Sequence, residues 1–169
     1  QIQFFLNHSF HTFEKKNNKI KSKFKNNGKN IFSESDILIG ADGPLSQVSK
    51  SADIFNNRKF VTGTQIEIKM KNDNVVEFYP FIGCYAWVVP INKNAIRIGV
   101  VSYNNTKKLF DKFVNLKLGK KYNEKIIENQ SGIIPIFNPN VIAQKKNVYL
   151  IGDSATFVKA TSGGGINQS

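Results

Sequence analysis

Two patterns of apolar and polar residues alternate along this chain. From residue 9 to residue 35, the stretches "SFHTFE" and "KIKSKF" flank "KKNN", and "NNGK" follows before Ile31 and Phe32. Period-two alternation marks strands with one wet face. Asn-Asn and Asn-Gly supply the positive φ that tight hairpins need, so an antiparallel meander is predicted. "DILIG", Asp36 to Gly40, differs in kind. It is a short unbroken aliphatic run, as expected of a parallel-type strand buried on both faces. "VYLIG", Val148 to Gly152, repeats that design far along the chain.

Between these runs the alternation returns. "TQIEIKMK", "VVEFYPF", "YAWVVPI" and "AIRIGVV" read as strands of one antiparallel sheet, with a hairpin at "NKN". Asn105 or Thr106 is expected to cap a helix with Leu109, Phe110, Phe113 and Val114 on one face. A second helical piece is expected around Tyr122 to Ile127. The predicted class is α/β, α+β overall: a pair of buried parallel strands with an antiparallel insertion between them.

Composition narrows this picture only a little. A chain of 169 residues, 40% of them apolar, can bury one ordinary core. No apolar run approaches the ~20 residues that span a bilayer. Cys84 is the only cysteine, so an internal disulfide is excluded and a reducing compartment is expected; Cys84 itself reads as a small buried residue. His8 and His11 have no cysteine or carboxylate cluster beside them, and no metal site is expected. The formal charge is +12, yet only Arg58 and Arg97 are arginine and the lysines are scattered among asparagines. That distribution reads as a solvated surface, with attraction to an anionic membrane or ligand as the lesser reading.

The chemistry gathers at the two strand ends. The first runs "IGADGPLSQVSK", with Gly40, Asp42 and Gly43; the second runs "IGDSATFVKATSGGGI", with Gly152, Asp153, Gly163, Gly164, Gly165 and Ile166. In open α/β sheets ligands bind beyond the carboxyl ends of strands, where a carboxylate can accept from sugar hydroxyls and glycine permits close approach. Three glycines at an expected helix start would aim free N–H groups at an anionic or electron-rich group. Lys159, within the second loop, reads as solvated.

In this order the segments resemble the geranylgeranyl reductase family of FAD-dependent oxidoreductases, within the group that includes p-hydroxybenzoate hydroxylase. "DILIGADGPLSQVSK" is similar to that group's DG motif and "GDSATFVKATSGGGI" to its GD motif. "CYAWVVPINKNAIRIGVV" is similar to a reductase segment with Tyr85, Trp87, Pro90 and a later Gly99, and "GIIPI" to a proline-containing stretch before the GD strand. Where the hydroxylases carry an arginine after the valine of the DG motif, this chain has Ser49; Val89 and Ala160 also depart from the family's usual Phe and Pro.

The resemblance implies a Rossmann-like FAD-binding sheet with a β-meander in residues 1–52 and an inserted antiparallel substrate domain with one or two helices in 53–144. A return to the FAD-binding domain follows in 145–169. It implies FAD held by Gly40, Asp42, Gly43, Gly152, Asp153, Gly163, Gly164, Gly165 and Ile166, and a prenyl chain walled by Tyr85, Trp87 and Pro90 beside the flavin. The implied reaction is hydride transfer from reduced flavin to C=C bonds of a geranylgeranyl or other isoprenoid lipid, with NAD(P)H or another donor upstream and no assigned catalytic side chain. The family's GxGxxG unit and the helix after the glycine loop are absent, so an internal fragment of a longer protein is expected, inactive and holding little FAD by itself. A lipid-like substrate implies cytoplasmic work with peripheral membrane contact. The alternatives are an FAD-dependent aromatic monooxygenase of the same superfamily and a non-catalytic basic module binding nucleic acid or anionic membrane.

Overall fold

The computed structural model describes residues 2–55, 57–119 and 122–159. They divide into two compact units, Gln1–Lys59 with Pro135–Ser169, and Phe60–Ile134.

The first unit opens with the meander: β1 (Ser9–Lys16), β2 (Lys19–Asn26) and β3 (Lys29–Ser35), paired antiparallel in that order. Its turns follow from their residues. Asn17 and Asn18 take φ of 50° and 60°, and Asn27 and Gly28 take 47° and 78°, the left-handed pairs that match strand twist in a two-residue hairpin. A bulge between Phe10 and Thr12 shifts the register. It lets Phe10 and Phe13, three apart, both turn toward the core.

β4 (Leu38–Gly40) then pairs in parallel with β11 (Val148–Leu150), Leu38 opposite Val148 and Gly40 opposite Leu150, and β10 (Gln144–Lys145) pairs antiparallel on the far side of β11. Between β4 and the second unit lies the short helix α1 (Gln47–Ser51). Val48, Ala52 and Ile54 from this region pack with Ile20, Val148, Leu150 and Ala155 into one core. The parallel pairing is as expected, but burial on both faces is not. Val148 and Leu150 are buried, whereas Ile37 and Ile39 are 53% and 58% exposed and Tyr149 and Ile151 also face outward. The α1 side alone is covered among the described residues, so the aliphatic run marks a parallel pair without two buried faces.

The second unit is a five-stranded sheet in the order β6-β7-β8-β5-β9, from β5 (Phe60–Lys69), β6 (Glu77–Tyr79), β7 (Tyr85–Asn92), β8 (Ala95–Ser102) and β9 (Ile126–Pro135), the last residue of β9 belonging to the first unit. The β5–β8, β6–β7 and β7–β8 pairs are antiparallel. The β7–β8 turn falls at "NKN", where the Asn92 side chain accepts from the N–H of Asn94 at 2.8 Å. Helix α2 (Thr106–Leu118) buries Phe110, Phe113 and Val114 against Ile66, Ile68, Ala86, Val88, Ile96, Ile98 and Val100. It ends where Gly119, at φ 76°, donates to the Asn115 carbonyl. Asn105 stands before it in a left-handed conformation without a side-chain cap bond; the Thr106 hydroxyl instead donates back to the Ser102 carbonyl. The second helical piece is only a single 3-10 turn, Tyr122–Lys125, after which the chain enters β9. No helix among the described residues is long and apolar enough to cross a membrane.

Candidate functional site

Parallel pairing of β4 with β11 delivers the two acidic loops to the same end of one sheet, since both strands are left at their carboxyl ends. Ile151 continues the pairing, its N–H donating to the Gly40 carbonyl at 3.0 Å. Ser154 fixes the second loop. Fully buried, its hydroxyl accepts from the Ile151 N–H and donates to the Gly40 carbonyl, with the Ile151 carbonyl at 2.7 Å as the alternative acceptor. Gly152 has φ 59°, a conformation glycine adopts at little cost.

The two aspartates meet different fates. Asp42 turns toward α1: Oδ1 accepts from the Ser46 hydroxyl at 2.5 Å, and Oδ2 from the N–H groups of Gln47 and Val48 at 2.7 and 3.1 Å. It braces the start of a five-residue helix whose N-cap is Ser46, and each of its oxygens accepts at least one of those bonds. The carboxylate of half-buried Asp153 has no hydrogen-bond or ion-pair partner among the described residues, and burial raises its pKa above the ordinary aspartate value. An unpartnered, partly desolvated carboxylate at a sheet end is an open acceptor for hydroxyl donors. The glycines also divide. A Cβ on Gly40 would come within 2.9 Å of both Leu150 and Val48, so Gly40 serves the packing of α1 on the sheet. Gly43, at φ 80°, has nothing within 4 Å of that position and serves the turn. Gly163, Gly164, Gly165 and Ile166 lie outside the described residues.

Arg58 is a residue that the motifs do not announce. Its Nη2 donates to Ser49 Oγ at 2.8 Å and its guanidinium lies 4.5 Å from the Phe55 ring centroid. A cation nine residues further on is thus brought to the Ser49 hydroxyl. Burial lowers its pKa, opposed by the negative charge of Asp42, and Nε and Nη1 are buried without hydrogen-bond partners among the described residues.

In the second unit, α2 covers one face of the sheet and the other carries a hollow. Tyr85 and Trp87 line it with Gly63, Gln65, Gly132 and Ile134, enclosing about 300 Å³. The aromatics form a row: Phe78 to Tyr85 at 5.5 Å and Tyr85 to Trp87 at 5.7 Å between centroids. Trp87 stands opposite Gly99, where a Cβ would come within 2.3 Å of the indole. Glycine there lets the ring lie flat on the strand. Burial raises the Tyr85 hydroxyl above its usual pKa, with a smaller contribution from Cys84. Pro90 is not part of the hollow; three residues beyond Trp87, it has the opposite strand parity and stands opposite Ile96 beside a bulge. Among the described residues no group of His, Cys, Asp or Glu could hold a metal ion.

Comparison with known proteins gives these placements a context. No family model matches the chain. An uncharacterised protein of Methanocaldococcus jannaschii is 28% identical over 96% of this chain and 44% of its own length. Digeranylgeranylglycerophospholipid reductase 3 of Methanosphaera stadtmanae is 30% identical over 79% of this chain and 37% of its own. The structure of a geranylgeranyl bacteriochlorophyll reductase-like protein from Thermoplasma acidophilum superposes with a TM-score of 0.75 at 22% identity, covering 93% of this chain and 44% of that one. Flavin-dependent halogenases and an aromatic hydroxylase share the fold at lower identity. The chain spans less than half the length of the relatives it matches. By sequence and by fold, the chain is a homologue of the geranylgeranyl reductases, as the order of its motifs implied.

Proposed function

We propose that the protein carrying this chain is an FAD-dependent reductase that saturates carbon–carbon double bonds of an isoprenoid lipid. The observation that carries the reading is the parallel β4–β11 register, which sets the "GADG" and "GD" loops side by side at one sheet end, with the Asp153 carboxylate unpartnered among the described residues and its pKa raised by burial. The described residues fit the cofactor there. Asp153 would accept from ribityl or pyrophosphate-side hydroxyls, and Gly152 would admit the backbone close to them. Asp42 would act through α1, holding the turn at Gly43 in place. Gly163, Gly164, Gly165 and Ile166, outside the described residues, belong to the same proposed FAD site. FAD, when bound, supplies the two-electron chemistry, which requires no protein nucleophile.

In the second unit, the hollow under Tyr85 and Trp87 suits an apolar chain. Its walls are aromatic, aliphatic and glycine, with polar groups at Gln65, Gln130 and Ser131. The isoprenoid lipid is met at the cytoplasmic face of a membrane, and NAD(P)H or another donor renews the electrons. A flavin monooxygenase acting on an aromatic compound is the second reading, favoured only by the shared fold.

One assay separates the two. Whole protein, reduced with dithionite under nitrogen, is expected to add two hydrogens per double bond to a digeranylgeranyl glycerophospholipid, read by mass spectrometry. Oxygen consumption stimulated by an aromatic substrate, with the lipid unchanged, would support the monooxygenase and overturn the reductase.

A further inference from the structure

One end of the second unit has no part in either site. The end of β5, the β7–β8 turn and the start of β9 enclose an open hollow lined by Lys69, Lys71 and Lys125 with Met70 and Ile127. No carboxylate lines it. Asp73 and Glu124, close to these lysines in sequence, are not among its lining residues. None of the three lysine side chains has an ion-pair or hydrogen-bond partner among the described residues. Met70 and Ile127 stand exposed among them, and Ile91 is exposed next to Asn92 of the same lining.

The array is held in place. The Met70 N–H donates to the Asn94 carbonyl at 2.9 Å, and the Asn72 side chain donates to the Asn92 carbonyl at 2.8 Å, tying the lysine segment to the hairpin turn. Unpaired ammonium groups set among exposed aliphatic side chains match the boundary of an anionic bilayer, where phosphates meet acyl chains. Lysine stems lie along apolar surface while their heads reach the headgroups. A nucleic acid would use the lysines and leave the aliphatic side chains in water.

We propose that this end of the second unit docks on an anionic lipid bilayer, with Lys69, Lys71 and Lys125 on the headgroup phosphates and Met70, Ile91 and Ile127 entering the interface. The proposal does not rest on the catalytic reading, and its test needs no turnover. The 169-residue chain is sedimented with vesicles of phosphatidylcholine, with and without about one quarter phosphatidylglycerol. Binding is expected only to the anionic vesicles. The Lys69→Glu, Lys71→Glu, Lys125→Glu variant should bind about tenfold more weakly or worse. A Lys15→Glu, Lys16→Glu, Lys29→Glu variant, with the same change of net charge on the exposed meander, should stay within about twofold of the parent. Met70→Ser with Ile127→Ser should also weaken binding, although the charge is unchanged. Equal loss in the meander variant, no sedimentation of the parent, or binding to single-stranded RNA in place of vesicles would each overturn the proposal.

Discussion

Two aspartates that look alike in sequence do different work. Asp42 is consumed in holding α1, while Asp153 stands at the sheet end with its carboxyl raised by burial. The sign of that shift sets a prediction. A carboxyl raised in the folded state favours folding while protonated and opposes it once pH climbs through its folded pKa. In the chain without flavin, Asp153→Asn should therefore raise Tm at pH 7 by up to ~3 °C, with the gain shrinking toward pH 4. Differential scanning fluorimetry across pH reads this directly. Trp87 offers a second test, because it is the only tryptophan. Gly99→Ala places a methyl within 2.3 Å of the indole carbon Cζ2 and 2.8 Å of Gln65 Cβ, so the ring must lift. A shifted emission maximum and a loss of about 1–3 kcal/mol in urea are expected. The aspartates and Trp87 were legible in the sequence. Ser154 and Arg58 were not, because each acts on a partner chosen by folding: Ser154 on a carbonyl 114 residues back and Arg58 on the hydroxyl of Ser49.

At the scale of elements, the strands followed from alternation and the hairpins from asparagine and glycine. Helix α2 followed from its Phe110, Phe113 and Val114 face. Its contact with the sheet edge did not. Lys117 on α2 bonds both Glu77 and Tyr79 of β6, at 2.5 and 2.7 Å, and sits over the Tyr79 ring. Bonding to Lys117 lowers the Glu77 pKa, and Glu77 raises that of Lys117. A depressed carboxyl gives stability above its unfolded pKa and loses it as pH falls through the folded one. Glu77→Gln should thus cost about 0.5–1 kcal/mol at pH 7 by urea denaturation, less in high salt, with the cost fading as acid protonates the Glu77 carboxylate in the folded chain. The aliphatic run "DILIG" misled in one respect. Continuous apolarity cannot distinguish a strand packed on both sides from one whose second face, at Ile37 and Ile39, is uncovered among the described residues.

For the whole chain, the informative signal was order: strand, acidic loop, antiparallel insertion, strand, acidic loop. That order requires two distant segments to pair in parallel, and they do, Leu38 with Val148. The hollow in the second unit left no such trace. Two of its glycines, Gly63 and Gly132, come from different strands, and register alone sets them near the aromatic row. The central claim is that the sheet end at Asp153 binds FAD, and flavin content of the purified whole protein tests it most directly. The account predicts one FAD per chain in the parent and in Trp87→Ala, and loss of most of it in Asp153→Ala. A flavin-free parent, or an Asp153→Ala variant that keeps its full complement, would contradict it.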